Sequence, residues 1–164
     1  MKTISSFKAL EKFGRIRLSH SFFMRDFLYS EISNFYGKPN LPDNPALAAA
    51  CEQADRVVAL YIHAPDEEGD WQPGAASRWW LQHSLERLTV ALRARGAALH
   101  IRRGPTLHAL LAVARETGAT QVFWNRLYEP AIAARDARVA AGLDEAGLLV
   151  ESFNAALLVE PWDM

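Results

Sequence analysis

Arg56-Val57-Val58-Ala59-Leu60-Tyr61-Ile62 is the stretch that decides the fold. After the arginine it is a continuous apolar run. A strand with one wet face would alternate; an unbroken run marks a strand covered on both faces, as in a parallel sheet. Just before it, Asp43-Asn44-Pro45 places a capping side chain ahead of a proline suited to a first helical turn, so 46–54 reads as a short helix. Just after it, 66–74 is polar and carries Gly and Pro, the composition of a loop.

The same alternation continues toward the C-terminus. Trp80, Leu81, Leu85, Leu88 and Leu92 recur at spacings of three and four, predicting a helix over 77–95 that Gly96 stops. A strand is expected at 98–103, a helix at 107–116 closed by Gly118, a strand at 120–124, a helix at 131–143 and a strand at 148–153. Strands separated by helices of this length need crossover connections. The expected fold is therefore α/β, a Rossmann-like layered parallel sheet flanked by helices. No internal repeat is evident beyond this alternation.

The first 41 residues differ from the rest. All four lysines (Lys2, Lys8, Lys12, Lys38) lie there, whereas the remainder has eleven arginines and no lysine. Alanine occurs once before position 42 and 26 times after it. Net charge is +4 in the first segment (7 basic, 3 acidic) and −5 in the second (11 basic, 16 acidic). A boundary is expected near Leu41-Pro42, separating an extension or fused segment, 1–41, from a domain over 42–164. Phe7, Leu10 and Phe13 before Gly14, and Phe22, Phe23, Asp26, Phe27, Ser30 and Glu31, fit one or two short helices; a strand at 15–18 is the other reading.

At 164 residues the chain suffices for one ordinary domain, and a net charge of −1 advertises no nucleic-acid partner. The single cysteine, Cys51, excludes an intramolecular disulfide and any multi-cysteine metal site, and is expected to be a buried, inert thiol. His20, His63, His83, His100 and His108 show no metal-ligand spacing. No apolar run has the ~18 residues of a membrane span, and the first residues lack a signal-peptide pattern, so a cytoplasmic location is expected.

Several stretches then acquire a family likeness: Asp43-Asn44-Pro45-Ala46-Leu47, Ser77-Arg78-Trp79-Trp80-Leu81, Asn125-Arg126-Leu127-Tyr128-Glu129-Pro130 with Arg135-Asp136, and Ser152-Phe153-Asn154-Ala155 running into Glu160-Pro161-Trp162. In order and spacing, residues 43–163 resemble the N-terminal α/β (antenna) domain of the DNA photolyase and cryptochrome family, most of all plant-type cryptochromes and related bacterial photolyases. The resemblance implies a partner: a larger helical domain that binds FAD and, in photolyases, receives the flipped pyrimidine dimer. It also implies that the α/β domain helps bind an antenna chromophore, a deazaflavin or a reduced folate. On this view the chain has no catalytic residue of its own, and FAD belongs to a missing or separate domain, since Met164 falls where the family's linker begins.

The family's opening strand ends in Arg-Asp-Leu-Arg-Leu directly before its Asp-Asn-Pro. Here Phe22-Phe23-Met24-Arg25-Asp26-Phe27-Leu28 echoes it, but twelve residues separate Ser30 from Asp43, and the echo reads as coincidence. An unrelated N-terminal segment is then expected to replace the family's first strand. Residues 1–41 must supply a substitute or leave neighbouring strands unpaired, at about 1–3 kcal/mol for each buried group.

Asn125, Tyr128 and Glu129, with Arg135 and Asp136, follow a strand at its C-terminal end, where α/β sheets place ligands. An amide and a carboxylate there could hold a pterin or flavin ring, and Arg78 offers a fork for an acidic group. By resemblance, Arg78 and Glu129 match positions that contact a deazaflavin in some members. A further acidic position of those members is Leu127 here, and the Asn-Glu of folate-binding members is Ala131-Ile132. The plainer reading gives Glu129, Arg135 and Asp136 helix-capping and ion-pairing roles. Trp79, Trp80, Trp124 and Trp162 read as packing residues, with Trp162 exposed where a helical domain would dock. Other readings of the whole chain are a nucleotide-binding stress-type α/β protein, which lacks its glycine-rich fingerprint here, and a rearranged gene product without activity. Self-association through an uncovered apolar face is expected if no helical domain covers it; no direct DNA contact and no membrane association are expected.

Overall fold

A computed structural model of the chain describes residues 21–25, 44–69, 72–155 and 157–163. Five strands and four helices follow one another: β1 (Ser21–Arg25), α1 (Pro45–Gln53), β2 (Val58–His63), α2 (Ala75–Arg93), β3 (Leu99–Arg103), α3 (Thr106–Thr117), β4 (Ala119–Asn125), α4 (Pro130–Glu145) and β5 (Leu149–Phe153). Short 3-10 turns lie at Pro65–Glu67 and Pro161–Asp163. Every element expected from residue 44 onward is present, with ends shifted by a residue or two.

The strands form one parallel sheet in the order β3-β2-β1-β4-β5. The chain winds outward from β1 to β3, then returns past β1 to build β4 and β5. Successive side chains of a strand face opposite ways, and the two cores follow that rule. Ala59 of β2 and Phe123 of β4 pack with Leu47, Ala50 and Cys51 of α1 and Leu88 and Leu92 of α2. Leu60, Ile62, Val122 and Trp124 pack with Leu110 and Val113 of α3 and Val139 and Leu143 of α4. The sheet is thus covered on both sides, which is why β2 reads as an unbroken apolar run.

Of the two outcomes expected for the N-terminal segment, the centre of this sheet shows a substitute strand. Residues 22–25 of the echo lie in β1, hydrogen-bonded between β2 and β4 with Phe23 beside Val58 and Val122. The N-terminal segment therefore supplies the central strand. Each doubling of a connecting segment adds only about 0.6 kcal/mol of closure entropy, whereas an unfilled central gap would strand two rows of peptide groups. The helices or strand expected elsewhere in 1–43 lie outside the described residues.

Local chemistry sets the element ends. Asn44 caps α1, its Oδ1 accepting from the Leu47 amide at 2.9 Å, with Pro45 in the first turn. Gly118 ends α3 in the left-handed region at φ 72°, where its amide donates to Ala114 O. Cys51 is buried, as expected. Trp124 is core, and Trp80 is partly buried. Trp79 departs from the packing expectation: it is 57% exposed, with its ring 4.1 Å from that of His83.

Candidate functional site

All five strands run the same way, so Arg25, His63, Arg103, Asn125 and Phe153 end at one edge of the sheet. The winding direction reverses between β1 and β4. Open α/β sheets place ligands at such a reversal, beyond the carboxyl ends of the strands. Asn125 terminates β4 there and is 2% exposed. Its Oδ1 accepts from the Ala46 amide at 3.2 Å, so the side chain joins β4 to the first turn of α1. Asn44 lies in the same turn, 4% exposed, and its Nδ2 is buried with no hydrogen-bond partner. A buried amide donor without a partner costs about 1–3 kcal/mol. It is the chemical feature at this edge that a carbonyl or ring-nitrogen acceptor would satisfy.

The loop after Asn125 is tied to the segment that follows β5. Arg126 N donates to Phe153 O at 2.8 Å. The Tyr128 hydroxyl donates to Glu160 Oε1 at 2.6 Å, and Arg126 Nε lies 3.1 Å from the same oxygen. That second contact is an ion pair by distance rather than an aligned hydrogen bond. Trp162 lies beside both, 5.6 Å from the Arg126 guanidinium and, tilted, 6.0 Å from the Tyr128 ring. Burial, and then the Glu160 carboxylate, push the Tyr128 hydroxyl up from 10.0 to about 12.

The four residues expected to bind a chromophore make no hydrogen bond or ion pair with one another. Asn125 and Tyr128 lie at the edge, but the Asn125 carbonyl and the Tyr128 hydroxyl are engaged with Ala46 and Glu160. Glu129 opens α4, is exposed, and forms no side-chain cap. Arg78 sits in the first turn of α2, exposed, donating to Pro73 O at 2.7 Å, and makes no hydrogen bond or ion pair with the other three. Arg135 and Asp136 pair with each other at 3.0 Å, both buried, which fits the structural reading of that pair.

Sequence reasoning did not single out Asn44 as a donor or Glu160 as the hub of a cluster. Asn44 was legible only as a cap. Glu160 could have been suspected from its place in Glu160-Pro161-Trp162, but its partners lie 32 and 34 residues away in the chain. Glu67 was also missed. Its carboxylate accepts from the Thr106 amide at 3.1 Å and from the Thr106 hydroxyl, filling the N-terminus of α3. Among the described residues no group of three His, Cys, Asp or Glu could hold a metal ion, and no helix is long and apolar enough to cross a membrane.

Comparison with known proteins agrees with this architecture. The DNA photolyase family model matches residues 41–164. The chain is 48% identical over 123 residues to Cryptochrome-1 of Arabidopsis thaliana, covering 74% of this chain and 18% of that protein. It is 40% identical over 121 residues to the deoxyribodipyrimidine photo-lyase of Agrobacterium fabrum, covering 74% and 25%. The crystal structure of a bacterial class III photolyase from Agrobacterium tumefaciens superimposes with a TM-score of 0.75 at 32% identity, covering 92% of this chain and 29% of that one. The chain belongs to the DNA photolyase family. It spans about a fifth to a quarter of the length of these relatives.

Proposed function

We propose that this chain acts as the antenna and docking domain of a photolyase-type flavoprotein, serving light-dependent DNA repair or blue-light sensing. In this reading the carboxyl edge of the sheet receives a planar deazaflavin or reduced folate. The observation that carries it is the unpaired Asn44 amide, buried where the strand order reverses. Asn44 would donate to a ring carbonyl or ring nitrogen, while the exposed Glu129 carboxylate is free to accept from a ring N–H. Arg78 would reach an acidic substituent only by giving up Pro73 O. FAD would be held by a helical domain, and the exposed apolar residues Leu157, Leu158, Val159 and Trp162 are suited to meet it.

The nucleotide-binding reading fares worse. Phosphate groups favour free helix N-termini, and Glu67 already occupies that of α3.

An absorbance spectrum from 300 to 500 nm tests the antenna reading, taken on purified protein and again after adding a reduced folate or a deazaflavin. A band that shifts on addition, and is lost in Asn44→Ala, is the expected result. A featureless spectrum with no binding of either pigment overturns it.

A further inference from the structure

The segment after β5 carries three consecutive exposed apolar residues, Leu157, Leu158 and Val159, at 38%, 105% and 54%. Left loose, such a trio would fold back onto any apolar surface within reach. Polar anchors on either side of it oppose that. On one side, Asn154 brackets Leu157: its Oδ1 accepts from Leu157 N at 2.9 Å and its Nδ2 donates to Leu157 O at 2.7 Å. On the other, Glu160 reaches the β4–α4 loop through Tyr128 and Arg126, and the turn behind it closes with Asp163 N donating to Glu160 O at 2.9 Å.

We propose that Glu160 is a positioning residue, a latch whose carboxylate holds segment 157–163 against Arg126 and Tyr128 and so presents the apolar trio outward in a fixed orientation. Tyr128 then serves the latch rather than a chromophore, because its only hydroxyl proton is given to Glu160. Trp162 rests on the two residues the carboxylate gathers, so its environment reports whether the latch is closed. What the trio meets rests on the function proposed above; the latch itself does not.

Amide exchange on the full chain, followed by NMR, tests this without any pigment or partner. In Glu160→Ala the Asp163 amide should exchange about tenfold faster, the scale expected on losing one hydrogen bond to a charged group. Protection in α1–α4 should stay as it is, and Trp162 emission should shift to the red, read as the difference from a Trp162→Phe control. Glu160→Gln keeps an acceptor for Tyr128 but loses the charge facing Arg126, and should fall between; it also carries the test if the alanine variant does not fold. Tyr128→Phe should accelerate exchange alone and add nothing in the Glu160→Ala background. Unchanged exchange at Asp163 in Glu160→Ala, or fully additive effects of the two substitutions, would overturn the proposal.

Discussion

Ala46 and Asn125 stand 79 residues apart in the chain, yet the backbone amide of one donates to the side-chain oxygen of the other at 3.2 Å. This bond joins the end of β4 to the start of α1 at the edge where the strand order reverses. The first turn of a helix has amides that its own backbone cannot satisfy, and Asn125 takes one of them. Asn125→Ala should therefore cost about 1–3 kcal/mol, the penalty of a buried N–H left unpaired. Urea unfolding measures it. Pigment binding lost in that variant would then reflect a displaced helix as much as a missing contact. Asn44→Ala is not free of this problem either, because Asn44 caps α1 through its Oδ1 at about 1 kcal/mol. Asn44→Ser keeps a capping oxygen and removes the amide donor, so it separates the two roles: stability near wild type, pigment binding weakened.

Glu67 and Thr106 make a second long-range cap. The carboxylate sits on the N-terminus of α3, where the amide ends and the helix dipole favour negative charge. Glu67→Ala should lower stability by about 1–2 kcal/mol. It should also open the helix end to anions, so that added phosphate raises the Tm of the variant more than that of the parent protein. Equal phosphate responses in the two proteins would count against this role for Glu67.

Arg135 and Asp136 are adjacent in sequence, paired at 3.0 Å, and nearly closed to solvent. Removing one member of a buried ion pair is costly, at about 3–5 kcal/mol. Asp136→Ala is expected to lose that much in urea unfolding. Replacing both by apolar residues of similar size should recover part of the loss, since neither charge is then buried.

The layer order and nearly all the elements could be read from residue patterns because each depends on local, periodic chemistry. Val57 to Ile62 announces a doubly covered strand, and Gly96 and Gly118 announce helix ends. The central strand could not be read that way. Phe22, Phe23 and Met24 make a run too short to be distinctive, and what fixes Ser21–Arg25 is the demand of β2 and β4 for a neighbour on each open side. The site was legible in the same uneven fashion. Position at a strand end pointed to Asn125 and Tyr128, but the acceptors and donors that engage them come from Ala46 and Glu160, and no spacing rule connects such distant residues. Arg78 was drawn into the site by its guanidinium fork and by family likeness, and the fold places its side chain on Pro73 O.

Tyr128 gives a pH dependence whose sign follows from its raised pKa. The unfolded chain releases the phenolic proton near pH 10, while the folded protein keeps it to about 12. Below pH 10 both states are protonated and the contribution to stability is fully present. Between pH 10 and about 12 the unfolded state binds fewer protons, so stability falls as pH rises. Tyr128→Phe should flatten that fall, and alkaline difference spectra should lose a tyrosine that ionises near pH 12. An unchanged alkaline limb would mean that burial and Glu160 do not raise the hydroxyl's pKa in solution.

Leu158 is fully open to water between two partly exposed apolar neighbours. A side chain so placed contributes little to the fold, since exposed substitutions usually change stability by no more than about 0.5 kcal/mol. Its effect should show in association instead. Sedimentation across a concentration series is expected to find the parent chain growing in mass with concentration, as uncovered apolar surfaces meet. Leu158→Lys should suppress that growth while leaving the Tm within a few degrees. If the lysine variant associates as readily as its parent, the apolar trio is not the surface through which copies meet, and the exposed Trp79 on α2 becomes the next residue to replace.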